Sequence, residues 1–429
     1  MSECRGRTGP IVPTRALLGS RCTPPESRSG PMGSARFNHE GMEMKDRNAC
    51  LRLRLAGLTL TGPCIVASSV LTGDMRRIAK ADDCGAGAVS TKMAIVGERR
   101  QSHPDVILRP KGGGIVSPGD RRLSLDEACA LVERIRHEKD LTIFANLLAP
   151  ADDESAWQEG AARLAEAGAH AIELDISCPN VPGITPRRSV AQSPEHSERI
   201  TRAVTRFVEI PVFCKLTAQV VDIAEVAVAC ERAGAAGIVA INGMGAAPEI
   251  DIHRGGKPRY LTSAVHSFGT LTGAPLFPIA CRAIAEVARS VSIPVVGCGG
   301  VSTWEEAVQM MMWGASAVQL CTAILVHGFE TIRAINRGMQ NFMRERGYTS
   351  PAEFVGAALQ YVVPAEHIVR RRVRLSVNAE KCSLCRRCLR PGICLALSES
   401  AEGIALDDEQ CLNCGVCIQL CPEKAISTA

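Results

Sequence analysis

The sequence predicts a (β/α)₈ TIM barrel followed by a small cysteine-rich module, on three observations. Between Leu51 and about Arg346, short apolar β-rich runs alternate with longer Ala-rich helical stretches, the pattern of repeated βα units. Eight such runs occur, the number that closes a parallel barrel, with a doubly wound open sheet as the alternative. Beyond them, eight of the 20 cysteines fall between Cys382 and Cys421. The expected organisation is a leader over 1–50, a barrel over 51–346, a linker over 347–380 and the cysteine-rich module over 381–429.

The leader is rich in Arg, Ser, Gly and Pro without hydrophobic periodicity, as in "TPPESRSGPMGSAR", which predicts disorder. Met32, Met42 and Met44 offer later translation starts. The eight strand-like runs lie near Cys64–Ala67, Ala88–Thr91, Leu141–Leu147, Ala171–Ile176, Pro211–Leu216, Gly237–Asn242, Pro294–Gly297 and Ala317–Leu320. Between them lie segments such as "SAWQEGAARLAEAG" and "DIAEVAVACERAG", each ending at a glycine suited to the left-handed C′ position. In a barrel the chemistry sits at the C-terminal ends of the strands. Lys92, Asn146, Cys178, Lys215 and Asn242 all stand at such ends and are expected to converge on one mouth.

Composition excludes several classes. No apolar run approaches the ~18 to 20 residues that span a bilayer, and no charged start precedes an apolar core, so a soluble, cytoplasmic protein is expected. The net charge of +4 is carried by the start of the chain, because residues 1–55 hold ten Lys/Arg against five Asp/Glu and everything after them totals −1. With 3% aromatic residues the body also lacks the stacking platform of a nucleic-acid binder.

Two cysteine runs carry the most specific chemistry. Cys382, Cys385 and Cys388 in "CSLCRRC" precede Cys394, and Cys411, Cys414 and Cys417 in "CLNCGVC" precede Cys421 and Pro422. Each reads as C-x2-C-x2-C with a distal cysteine, the two-cluster ferredoxin pattern, in which three ligands of one run and the distal ligand of the other hold each [4Fe–4S] cube. One cluster is therefore assigned to Cys382, Cys385, Cys388 and Cys421, the other to Cys411, Cys414, Cys417 and Cys394. A zinc module would favour paired C-x2-C dyads instead. The first run departs from the usual form, with five residues before Cys394 and no proline after it.

In the barrel, "VVGCGGVST" and "VQLCTAIL" place glycines after strand seven and a helix start after strand eight, where backbone N–H groups can surround a phosphate. Lys92 and Lys215 end strands two and five in apolar surroundings and require an anionic partner, which a reduced flavin would supply at its N1–C2=O edge. Together "IVASSVLTGD", "STKMA", "LDISCPN", "FCKLT", "AING", "GCGGVSTWEEA" and "GASAVQLCTA" resemble the FMN barrel of the dihydroorotate dehydrogenase family. With "GYTSPAEFVGAALQYVVPAEHI" and the ferredoxin run, the chain most resembles the FMN/iron–sulfur subunits of bacterial NAD-dependent dihydropyrimidine dehydrogenases.

The resemblance implies FMN at the barrel mouth, with Ala67 and Ser68 near the ring, Lys92 and Lys215 on its polar edge, and Asn146 in the same cofactor set. It places Gly273, Gly299, Gly300, Cys321 and Thr322 near the phosphate end. At the position of Cys178 the family keeps the residue that exchanges a proton with the substrate carbon. Asp175, Asn180 and Asn242 would face the substrate. Asp175 is a departure, because the family has asparagine there, and "GGGIVSPGD" lacks the asparagine of the usual substrate loop. An ionised Asp accepts hydrogen bonds but cannot donate, which disfavours the carboxylate orotate and leaves a neutral cyclic amide or a non-pyrimidine ring.

The expected activity is hydrogen transfer across a C=C bond beside a carbonyl, with electrons relayed through the clusters. Because no G-x-G-x-x-G follows a strand, the expected partner is a reductase subunit carrying FAD and a nicotinamide site, or a ferredoxin-type carrier, in a homo- or hetero-oligomer. A tRNA dihydrouridine synthase-like enzyme and a barrel retaining only electron transfer are the competing classes.

Overall fold

The computed structural model describes residues 49–97, 114–117, 121–178, 189–259, 268–369, 372–401 and 403–428. The expected leader, apart from its last two residues, lies outside the described residues.

All eight predicted runs form strands: β1 (Cys64–Val66), β2 (Ala88–Ser90), β3 (Thr142–Leu148), β4 (Ala171–Leu174), β5 (Val212–Leu216), β6 (Gly237–Ala240), β7 (Val295–Cys298) and β8 (Ala315–Leu320). Each pairs in parallel with the next, and β8 returns to β1 with Val318 opposite Cys64, so the sheet is a closed barrel.

The helices are α1 (Met75–Asp83), α2 (Leu125–Glu138), α3 (Glu154–Glu166), α4 (Pro194–Thr205), α5 (Ile223–Arg232), α6 (Phe277–Ala288), α7 (Trp304–Met312), α8 (Thr322–His327) and α9 (Glu330–Arg346). Asp74, Ser124, Asp153, Ser193, Asp222 and Thr303 cap six of them, each accepting from a free N–H of the first turn. Their apolar faces pack with the outward side chains of the strands in one core that contains the fully buried Trp157. Among the described residues no helix is long and apolar enough to cross a membrane.

The barrel interior is layered by strand parity, since alternate side chains on each strand point inward. One inner layer takes a residue from every strand: Ile65, Ala88, Phe144, Ala171, Phe213, Val239, Val296 and Ala317. It is wholly apolar, with Phe144 and Phe213 meeting edge to face at 5.1 Å. Leu53, Leu55 and Leu60 of a hairpin (Leu53–Leu55 with Leu58–Leu60) join that layer and so close the N-terminal end. Two residues further along the strands stand Ala67, Ser90, Asn146, Glu173, Lys215, Ile241, Cys298 and Gln319, most of them polar. The next step of two brings Asp175 to the end of β4 and Lys92 beyond β2.

Additional strands crown this end. Gly114–Ser117, Gly269–Gly273 and Met244–Ala246 form an antiparallel sheet, and Ala94–Ile95 bridges the end of β3 to Leu123–Ser124.

The C-terminal module pairs Leu375–Val377 with Ile426–Thr428 and Leu397–Ser400 with Gly403–Leu406, around a small core of its own. Both cysteine runs adopt the same turn. Leu384 and Arg386 flank Cys385 with φ of 53° and 56°, and Asn413 and Gly415 flank Cys414 with φ of 56° and 72°. Left-handed Leu and Arg are uncommon and strained, so the first run spends conformational energy to curl as the second does with Asn and Gly. Gly392, with φ of 66°, turns the five-residue spacer before Cys394.

Candidate functional site

The polar inner layer is a connected network. Glu173, on β4 and 0% exposed, accepts from Asn146 Nδ2 at 2.8 Å, Lys215 Nζ at 3.2 Å and Gln319 Nε2 at 2.6 Å. Lys215 Nζ also donates to Gln319 Oε1 at 3.1 Å. Four strands thus contribute one side chain each, and parity aims all four at the barrel axis. Burial works against the Lys215 ammonium, but Glu173 first, then Cys298 and Asp175, outweigh it and raise its pKa. Removal from water, only partly opposed by Lys215, pushes the Cys298 thiol up to about 11.

The anionic partner that the sequence reading sought for Lys215 in a flavin is therefore present in the protein as Glu173. Glu173 and Gln319 were missed. The signal was available, because Glu173 and Asp175 share a parity within "ELDISCPN" and must face the same interior as Lys215.

Asn146 is held with its amide nitrogen on Glu173, which leaves Oδ1 fully buried with no hydrogen-bond partner among the described residues. A buried acceptor left unpaired is costly, and a ring N–H would relieve it. Gly273, Gly299 and Gly300 take positive φ of 95°, 131° and 83°, a backbone conformation that favours glycine. A Cβ on Gly300 would strike Phe277 at the start of α6 at 2.6 Å, and one on Gly273 would strike Thr322 at the start of α8 at 2.9 Å. Thr322 Oγ1 donates to Thr272 Oγ1 at 2.9 Å, which ties α8 to that strand beside Cys321. The unpaired Asn146 acceptor is a feature that a flavin ring N–H would satisfy, and glycines that bring the starts of α6 and α8 close offer backbone N–H groups of the kind a phosphate takes, so these residues fit FMN. Ala67 is buried and Ser68 half-buried at the end of β1, where Ala67 N–H donates to Leu320 at 2.9 Å. Lys92 is 5% exposed and packs its stem against Gly73.

Above the network, Asp175 Oδ1 accepts from Asn242 Nδ2 at 2.9 Å and from Ser177 Oγ at 3.2 Å, and Asn242 Nδ2 reaches Ser177 Oγ at 3.0 Å. Burial, partly offset by Lys215 and reinforced by Glu173, raises the Asp175 pKa. Cys178 follows three residues later, half-buried, with Arg122 Nη2 at 3.9 Å from its Sγ. Arg122 was not singled out by sequence reasoning. Of the predicted substrate residues the structure brings Asp175 and Asn242 together, whereas Asn180 lies outside the described residues.

In the C-terminal module, Cys382, Cys385, Cys388 and Cys421 line one small pocket. These are the four ligands that the spacing assigns to one cluster. Cys388 feels the charges of the other three, and Cys417 those of Cys394 and Cys414, after burial as the main influence on each. Four cysteines around one pocket are the residue type that an iron–sulfur cluster takes, although among the described residues no side chains group as a metal-binding set.

The dihydroorotate dehydrogenase family profile matches residues 50–343, and the 4Fe-4S binding domain profile matches 404–427, which supports an iron–sulfur cluster. The chain is 35% identical over 316 residues, 72% of its length and 99% of the relative's, to the catalytic subunit of dihydroorotate dehydrogenase B (NAD(+)) from Pyrococcus abyssi. It is 30% identical over 349 residues, 79% of its length and 84% of the relative's, to the NAD-dependent dihydropyrimidine dehydrogenase subunit PreA of Escherichia coli. A crystal structure of the Eimeria tenella dihydroorotate dehydrogenase in complex with ferulenol has the same fold, with a TM-score of 0.62 and 18% identity over 73% of this chain and 90% of that one. The relatives are dehydrogenases, and the chain belongs to the dihydroorotate dehydrogenase family.

Proposed function

We propose that the chain is an FMN-dependent oxidoreductase that adds or removes hydrogen across a C=C bond beside a carbonyl in a pyrimidine-like ring, and exchanges the electrons with a second protein through two [4Fe–4S] clusters. The observation that carries this reading is the stacking of Cys178, Asp175 and Asn242 above the network of Asn146, Glu173, Lys215 and Gln319 at one barrel mouth.

FMN supplies the hydride acceptor or donor. Lys92, Lys215 and Asn146 would hold its ring edge, Ala67 and Ser68 its face, and Gly273, Gly299, Gly300, Cys321 and Thr322 its phosphate end. Cys178 Sγ gives a proton to the ring carbon beside the one that gains hydride, or takes that proton in the reverse direction. Asp175, Asn180 and Asn242 orient the ring. Burial raises the Asp175 pKa, and in its protonated form the carboxyl could donate to a ring carbonyl much as the family's asparagine does. Neutral cyclic amides carry no carboxylate for Asp175 to repel in either protonation state, so they are the substrates favoured first, and a non-pyrimidine ring is the second reading.

The cysteine sets Cys382, Cys385, Cys388, Cys421 and Cys411, Cys414, Cys417, Cys394 form the wire. It would lead to a reductase subunit with FAD and a nicotinamide site, or to a ferredoxin-type carrier. The proposed boundaries are a barrel over 51–346, ending where Gly347 caps α9 with φ of 75°, a linker over 347–380 and the cluster module over 381–429. The test is anaerobic purification followed by a screen of uracil, thymine, dihydroorotate and related cyclic amides for flavin bleaching by the reduced rings or reoxidation by the unsaturated ones. Absence of any response to every cyclic amide in an FMN-loaded preparation would refute the substrate class.

A further inference from the structure

We infer that Arg122 is a positioning residue for Cys178, holding its sulfur as the thiolate so that the resting enzyme presents a proton acceptor. The inference rests on the acid/base role proposed for Cys178 and deepens it.

Arg122 stands one residue before Leu123–Ser124, the short strand that pairs with Ala94–Ile95, which in turn pairs with the end of β3. Leu123 N–H donates to Met93 O at 3.0 Å, so the chain is pinned immediately after Arg122. Next along the chain, Ser124 and Glu127 form a reciprocal capping box that starts α2. The neighbouring Arg121 turns outward to Glu127 at 2.7 Å. Arg122 turns inward, is half-buried, and sets Nη2 at 3.9 Å from Cys178 Sγ. The guanidinium is thus fixed by elements other than the β4 loop that carries the cysteine, and both rest on the end of β3 at Leu147.

A cation at that distance favours the charged form of its neighbour, and an arginine cannot relieve the contact by losing its own proton. Among the described residues of that loop, Asp175 also carries a titratable group, and its Oδ1 is engaged by Ser177 and Asn242. A thiolate paired with Arg122 takes the proton from the saturated ring carbon as the hydride leaves the adjacent carbon. In the reducing direction the same sulfur must first be protonated from solvent, so that direction slows as pH rises past the lowered thiol pKa.

The test needs no substrate. The FMN-loaded protein is alkylated with iodoacetamide under anaerobic conditions, and modification of the Cys178 peptide is followed by mass spectrometry from roughly pH 6 to 10, a range that spans the ordinary cysteine value of about 8.5. The wild-type rate should show its inflection below that value. Arg122→Gln should move it up by at least about one pH unit, while Arg122→Lys should keep most of the depression. An inflection at or above about 8.5 in the wild type overturns the proposal whatever the variants do. A midpoint unchanged in an FMN-loaded Arg122→Gln protein overturns it too. Failure of the acid/base role itself would appear separately, as unchanged turnover in Cys178→Ala.

Discussion

Replacing Glu173 by Gln tests the inner network directly. The substitution keeps the shape and most of the hydrogen bonds but leaves the Lys215 ammonium, 4% exposed, without its counter-charge. At the observed 3.2 Å separation, Coulomb's law with an effective dielectric of ~20 gives about 5 kcal/mol. Breaking one half of a buried pair typically costs about 3–5 kcal/mol, so the expected loss lies in that range. Trp157, Trp304 and Trp313 are the three tryptophans of the chain and all belong to the barrel, so fluorescence-monitored denaturation reports the barrel rather than the cluster module. Adding Lys215→Met should recover most of the loss, because the orphaned charge goes with it. The sign with pH follows from the raised Lys215 pKa. For the lysine's part, stability from the pair is fully present below the unfolded lysine value of ~10.4 and is lost as pH rises through the folded one, so on the alkaline side the gap between wild type and variant should persist until strongly alkaline pH. A loss under about 1 kcal/mol, or no recovery with Lys215→Met, would refute the assignment of Glu173 as the counter-ion.

The remaining expectations are simpler. Two four-cysteine sets and one flavin site predict about eight irons and one FMN per chain, and iron near four, or zinc in its place, would remove the second cluster. Cys178→Ala should fold, load FMN and lose ~10² to 10⁴-fold in the rate of flavin oxidation by an active ring substrate in stopped flow, since it removes the positioned proton donor. Asp175→Asn should change substrate preference more than FMN content. It should also stabilise the protein at neutral pH. The raised Asp175 pKa favours the fold only while the carboxyl is protonated, and that contribution is lost as pH rises through the folded value, so the gain from Asn should shrink toward pH ~4.

The barrel was legible because closure imposes a rhythm that no single run reveals. Eight β-rich runs separated by capped helices have few ways to satisfy their backbone, and each run near a predicted position became a strand. The residues at strand ends were legible for the same reason, since a run's end locates the mouth. Glu173 carried a parity signal within "ELDISCPN", but its pairing with Lys215 and Gln319 takes on meaning only once the register of their strands is known. Asn146 Oδ1 shows the limit from the other side: the residue was read from its position, but its orphaned acceptor exists only because Glu173, from the next strand, captures the amide nitrogen. Arg122 lay beyond reach, as its approach to Cys178 depends on two short strands of two residues each.

The parity of the strands explains why the departure at Asp175 is tolerated. Glu173 and Asp175 lie on the same side of β4 and its extension, so two carboxylates enter one interior, where Lys215 pairs with Glu173. Ionising both in low dielectric is costly, because the charge of one disfavours that of the other. The closer carboxylate, Glu173, takes the ion pair with three donors, and the pKa of the farther one rises. A protonated Asp175 has nearly the volume and one of the donor capacities of asparagine, so the family's neutral residue is replaced by one that the buried charge balance itself drives toward neutrality.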